Sequence, residues 1–151
     1  MTALNMTALN LPRPGWMTEE LVLLEEQARR FIAAEYVPHL EAWNEAGMYG
    51  REVWTKAGAA GLLCPAIPEE YGGVGGSFAH EAVIGRELSL AGFDSFGAPL
   101  HSGIVAPYIL HYGTEEQKRR WLPKLATGEL VGAIAMTEPG AGSDLQGVRT
   151  R

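Results

Sequence analysis

One stretch limits the fold of this chain more than any other. Val131-Gly132-Ala133-Ile134-Ala135-Met136 reads as a β-strand, while every periodic segment before it reads as helix. A strand needs a ladder partner, and even an isolated hairpin is marginal in water. Five or six helices followed by one strand therefore predict a mainly α domain. The strand is expected to pair with something absent from this sequence.

The helical segments carry their own boundary signals. Thr18 is placed to cap a helix whose first turn holds Glu19 and Glu20, where the helix dipole favours acids. Leu21, Leu24, Ala28 and Phe31 follow at helical spacing, and Glu25–Arg29 and Glu26–Arg30 are i,i+4 pairs in the favoured order. Pro38 is expected to bend or divide this helix, whose continuation through Trp43 ends near Gly47. A short helix over Arg51–Ala60 stops at Gly61. The two prolines in Leu62–Pro68 exclude both a regular helix and a central strand, and the glycines from Gly72 to Gly76 make a loop. Ser77 caps the next helix, with Ile84, Leu88 and Ala91 on one face; Gly92–Gly103 reads as irregular, with helix resuming between Ser102 and Pro107. Thr114-Glu115-Glu116-Gln117 is a capping box. The helix it opens should bury Trp121, Leu122 and Leu125, kink at Pro123 and end at Gly128.

Composition removes several function classes. The formal charge is 12 − 18 = −6, which argues against a duplex-binding face and hence against nucleic acid. No apolar run reaches the roughly 18–20 residues of a membrane span. Cys64 is the sole cysteine, so no intramolecular disulfide or thiolate metal cluster forms; a reducing, cytoplasmic setting is expected. Met-Thr-Ala-Leu-Asn occurs twice at residues 1–10, and residues 1–16 read as a flexible leader. His39, His80, His101 and His111 lack metal-ligand spacing and are expected at the surface or at a pocket edge. Leu100, Ile104 and Tyr108 have the spacing of core residues, and Cys64, between Leu63 and Pro65, reads as a small buried hydrophobe.

Phosphate-loop, nucleophile-elbow and dinucleotide fingerprints are absent. The positive signal is Met136-Thr137-Glu138-Pro139-Gly140-Ala141-Gly142-Ser143-Asp144, directly after the strand. Such a loop can turn several N–H groups toward one point, and Thr137 and Ser143 add hydroxyl donors. Physics alone leaves two readings open, a ligand-facing loop and a plain turn.

Three further fragments precede that loop in order: Pro68-Glu69-Glu70-Tyr71-Gly72-Gly73, Gly113-Thr114-Glu115-Glu116-Gln117-Lys118, and Leu122-Pro123-x-Leu125-Ala126-x-Gly128-Glu129. Together the four closely resemble the N-terminal part of the acyl-CoA dehydrogenase family, over nearly everything from Thr18 to Arg151. The resemblance implies an N-terminal helical domain over residues 17–130. Residues 131–151 would be the first strand and flavin-contacting loop of a middle β-domain, followed in the family by a C-terminal four-helix bundle. It implies FAD as cofactor and an acyl-CoA thioester as substrate. A glutamate removes the α-proton while the β-hydrogen leaves as hydride to flavin N5. Electron-transfer flavoprotein or a similar acceptor and a homotetramer are implied as partners. Carried onto this sequence, Ala135, Met136, Thr137, Gly142 and Ser143 would meet FAD, with Ser143 also facing the CoA thioester. The catalytic glutamate belongs to the family's C-terminal region, so Glu69, Glu70 and Glu138 are not assigned that role, and the isolated chain is expected to be inactive. The rival readings are a non-catalytic helical interaction module, and the same fold serving an acyl-CoA oxidase or flavin monooxygenase.

Overall fold

The computed structural model describes residues 13–150, so residues 1–12 of the expected leader lie outside the described residues. Helix dominates. The first helix, α1 (Glu19–Phe31), begins where Thr18 accepts from the Leu21 amide. It widens into a π-helical turn over Ile32–Tyr36 and then tightens into a 3-10 turn over Val37–His39. Pro38 explains the change of pitch, because its ring and missing N–H forbid a regular continuation. The chain resumes as α2 (Leu40–Ala46), closed by Gly47 in the left-handed conformation. Then follow α3 (Arg51–Ala59), α4 (Phe78–Leu90), α5 (Ala98–Leu100), α6 (Ala106–Tyr112) and α7 (Glu115–Ala126). No helix among the described residues is long and apolar enough to cross a membrane.

Two differences from the sequence reading have simple causes. Helix restarts at Ala98, earlier than expected, and runs through a π-helical turn (His101–Val105) into α6. Pro99 sits in the first turn, where its missing N–H costs nothing, so it marks a start rather than a break. The second concerns Val131–Met136, which forms no strand: without a neighbouring strand there is no ladder to join. An isolated bridge between Glu138 and Ala141 is the β pairing found among the described residues.

The body has two adjoining cores. The first packs Ala28, Ile32, Tyr36, Trp54, Leu63, Leu88, Phe93 and Phe96. Tyr36 is its centre, with Phe31, Phe93 and Phe96 rings 5.1–5.4 Å away, and its hydroxyl donates to the Val53 carbonyl at 2.9 Å. Burial pushes that phenol above its ordinary pKa. The second core packs Cys64, Ile67, Tyr71, Ala106, Leu122, Leu125 and Ala126. Leu122 and Leu125 are buried as expected, and Trp121 is half-buried.

Where α1 meets α4, buried charge joins the apolar packing of Ala28, Ile84 and Leu88. Arg29 bonds Glu25 and Glu87, and Arg86 reaches the same two carboxylates at 3.2 and 3.1 Å. Glu25 and Glu87 are both buried. Burial alone would push the Glu25 carboxyl up, but the Arg29 hydrogen bond and the charges of Arg86, Arg29 and Arg13 hold it below the usual carboxylate range. Taking one arginine away would strand a buried carboxylate, which is how such pairs become costly to break.

Candidate functional site

The candidate loop grows from the end of α7, where the chain is tied down residue by residue. Gly128 sits at φ +73° against the Trp54 carbonyl, where an added Cβ would lie 2.3 Å from that oxygen. No other residue suits both the conformation and the gap. Arg51 donates to the Glu129 carbonyl, and the Leu130 amide donates to the Lys124 carbonyl at 3.0 Å. The Gly132 amide then donates to Nδ1 of His101 at 2.9 Å.

His101 is fully buried, which corrects the expectation that it lies at the surface or a pocket edge. Its ring stands 5.2 Å from that of Trp54, its Nε2 lies 3.1 Å from the Leu125 carbonyl, and the Cys64 Sγ is 3.6 Å from that nitrogen. Burial pulls its pKa below the ordinary value, with the Leu125 carbonyl opposing. The three other histidines are exposed or, for His80, half-buried as the partner of Ser77 in a capping box. Cys64 is buried as expected. Its backbone takes φ +51°, uncommon outside glycine and worth about 1–2 kcal/mol of strain, with the amide held by the Ser102 hydroxyl at 2.9 Å. Burial pushes its thiol up to about 12, so it stays protonated and unreactive.

Beyond Gly132 the character changes. Ala135, Met136 and Thr137 are exposed, Met136 by 48%. Glu138 and Ala141 then exchange N–H···O bonds of 3.0 and 3.1 Å across Pro139-Gly140, making Thr137 and Gly142 the next pair outward. Glu138 turns its carboxylate toward residues further along the chain, where it accepts from the Arg149 and Thr150 amides at 3.0 and 2.8 Å and from the Thr150 hydroxyl. Those hydrogen bonds, from Thr150 foremost, lower its pKa. Residues 138–150 are thus a closed ring around buried Ala141. The bridge brings the Thr137 arm and the Gly142–Ser143 arm side by side. Among the described residues, the amides of Ala135, Met136, Thr137, Gly142 and Ser143 donate to no protein group. The Thr137 and Ser143 hydroxyls are likewise without a partner there. A Cβ built on Gly140 or Gly142 would meet nothing within 4 Å, so the space beside them is open.

Other expectations fare differently. Glu69 and Glu70 lie exposed on a 3-10 turn, while Arg119 pairs with Glu115 at 2.7 Å on a wet helix face. Ile104 and Tyr108, expected in the core, are exposed by 42% and 61%, and Tyr112 by 83%. The inward face of this stretch runs instead through Ala98, His101, Ser102 and Ala106, which leaves Ile104 and Tyr108 on the opposite side. His101 and Gly132 are what the residue pattern missed. A readable signal existed, since a glycine inside a strand pattern often marks close backbone approach.

Comparison with known proteins agrees with this architecture. Residues 18–129 match the family described as acyl-CoA dehydrogenase, N-terminal domain. The mouse mitochondrial long-chain specific acyl-CoA dehydrogenase is 49% identical over 128 residues, 85% of this chain and 30% of that protein. The crystal structure of an acyl-CoA dehydrogenase from Geobacillus kaustophilus superposes with a TM-score of 0.84 at 48% identity, over 89% of this chain and 35% of that one. An acyl-CoA dehydrogenase from Bacillus anthracis, solved in complex with FAD, gives 0.78 at 36% identity, over 89% of this chain and 24% of that one. The chain spans about 30% of the length of the mouse relative. With its helical body matched from Thr18 to Glu129, the chain belongs to the acyl-CoA dehydrogenase N-terminal domain family.

Proposed function

We propose that this chain is the N-terminal portion of an FAD-dependent acyl-CoA dehydrogenase. Residues 1–16 form its leader, 17–130 its helical domain, and 131–151 the flavin-contacting loop of its middle β-domain with the segment that becomes the first strand once a neighbouring strand supplies the ladder. The observation that carries the reading is the set of unpartnered donors on the 135–143 loop, beside glycines that leave open space. FAD, when bound, supplies the hydride acceptor for α,β-dehydrogenation of an acyl-CoA thioester. The amides of Ala135 and Met136 and the amide and hydroxyl of Thr137 would hold the pyrimidine edge, where reduction places negative charge. Gly142 and Ser143 would approach the cofactor from the adjoining arm, with Ser143 also toward the thioester. Preorganised donors at such an edge act strongly because they need no rearrangement as charge develops. Glu138, the acid nearest these donors in sequence, is turned into its own ring, so its carboxylate is satisfied by hydrogen bonds there rather than aimed at the cofactor.

The general base is assigned to a glutamate outside this chain, and the isolated polypeptide is inactive. Electron-transfer flavoprotein as acceptor, a homotetramer and a cytoplasmic setting complete the reading; the last rests on the single cysteine, Cys64. The exposed apolar side chains Leu130, Val131, Ile134 and Met136 support a covering partner for this segment. The test is direct. Purified chain supplied with FAD, acyl-CoA and a dye acceptor should leave the dye unreduced, while quenching flavin fluorescence in a titration that Thr137→Val weakens several-fold. Rapid dye bleaching, or quenching indifferent to Thr137, refutes the assignment.

A further inference from the structure

His101 sits between the two cores and uses both ring nitrogens. The Gly132 N–H is a donor, so Nδ1 must accept; the ring, disfavoured as a cation by burial, then carries its proton on Nε2 and donates to the Leu125 carbonyl. One tautomer alone satisfies both bonds. The contact also demands glycine at position 132: a Cβ there would lie 2.8 Å from Cγ1 and 3.1 Å from Cβ of Val105, and 3.4 Å from Nδ1 itself. Any larger residue would lift its amide off the imidazole.

Position along the chain gives this bond its leverage. Glu129 and Leu130 are held by Arg51 and by the Lys124 carbonyl, and Gly132 by His101. From Ala133 to Thr137 no further backbone hydrogen bond follows among the described residues, until the ring that opens at Glu138. Gly132 is therefore the last fixed point before the donors. An extended chain rises about 3.3 Å per residue, so Thr137, five residues on, can stand ~16 Å from that point. A swing of some 30° at Gly132 would carry its hydroxyl by roughly 8 Å, more than any donor can tolerate.

We propose that His101 is a positioning residue: its Nδ1 fixes the Gly132 amide and thereby sets the direction in which the segment bearing Ala135, Met136 and Thr137 leaves the helical body. That the segment serves a flavin rests on the reading above; the latch itself does not. His101 acts through Gly132.

Amide exchange and nitrogen NMR on the 151-residue chain test it. In the unsubstituted chain the His101 ring should show the Nε2-protonated form, and the Gly132 amide should exchange at least tenfold more slowly than that of Ala133. His101→Asn keeps an acceptor near Nδ1 and should retain Gly132 protection within threefold. His101→Gln keeps a donor near the Leu125 carbonyl but no acceptor near Gly132, and should lose protection at least tenfold and shift the Ala135–Thr137 amide resonances. Gly132→Ala should do the same with His101 in place. A purely structural role predicts instead that loss of protection follows loss of stability, whichever atom is removed. Gly132 exchanging as fast as Ala133 in the unsubstituted chain, or protection surviving His101→Gln, overturns the proposal, and the first result needs no variant to fold. Flavin titration of the same proteins is read separately: an intact amide pattern without flavin binding sinks the functional reading and leaves the latch standing.

Discussion

The helical body and the segment after Gly132 treat their polar groups in opposite ways. In the body even awkward groups have partners: Glu25 and Glu87 share two arginines, Ser102 takes the amide of a strained cysteine, and His101 spends both nitrogens. In the segment, five amides and two hydroxyls stand without protein partners among the described residues, on side chains open to solvent. The first arrangement gives stability to the fold. The second gives almost none, and leaves donors available to something else.

The contrast can be broken most forcefully in the first core. Phe96 is 1% exposed and packs 4.6 Å from the Trp54 ring. Phe96→Ala should cost about 3–5 kcal/mol in urea unfolding, enough to leave much of the population unfolded. A loss under about 1 kcal/mol would mean that this core is not where stability resides.

Glu81 sharpens the comparison, because it is the body's exception. Its Oε1 is buried with no hydrogen-bond partner among the described residues, and burial pushes its carboxyl up to about 7 against the Ala66 backbone hydrogen bond. The folded chain therefore binds a proton more tightly than the unfolded chain, whose carboxyl titrates near 4.5. Its contribution to stability is fully present below pH 4.5 and is lost as pH rises to about 7, by roughly 2–3 kcal/mol over that window. Glu81→Gln should flatten this slope and stabilise the protein above pH 7, as unfolding curves across that range will tell. An unchanged slope would mean that the group finds solvent.

The smallest expected effect falls in the segment itself. Met136→Ala, removing a side chain that is 48% exposed, should change the unfolding free energy by less than about 0.5 kcal/mol. A larger loss in the same urea experiment would place this segment within the cooperative unit and erase the distinction.

Much of the body was readable from the residues because its rules are local. Thr18, Ser77 and Thr114 cap the helices they precede, Gly47 closes α2, and Glu25–Arg29 forms at its i,i+4 spacing, whereas Glu26–Arg30 at the same spacing makes no ion pair among the described residues. Those features depend on side chains three or four positions apart. His101 lies beyond such local rules because its partners are 24 and 31 residues away, outside any periodicity. Helix α4 hid a second lesson. Arg86 and Glu87 look like a wet face, yet they meet α1 through buried ion pairs, and no hydrophobic pattern encodes that. Ile104 and Tyr108 share a helical spacing, but so do Ala98, Ser102 and Ala106, and spacing alone does not say which of the two faces packs. For the loop, order and composition pointed to its outward-facing donors, whereas the hook made by Glu138 depends on Arg149 and Thr150, eleven and twelve residues on.

That hook has a thermodynamic consequence. A glycine-rich tip left limp would have to surrender its conformational freedom at the moment of docking, and the binding constant would carry that penalty. Here the carboxylate of Glu138 has already gathered the tip into shape, so a visitor meets a finished contour and association is spared the toll.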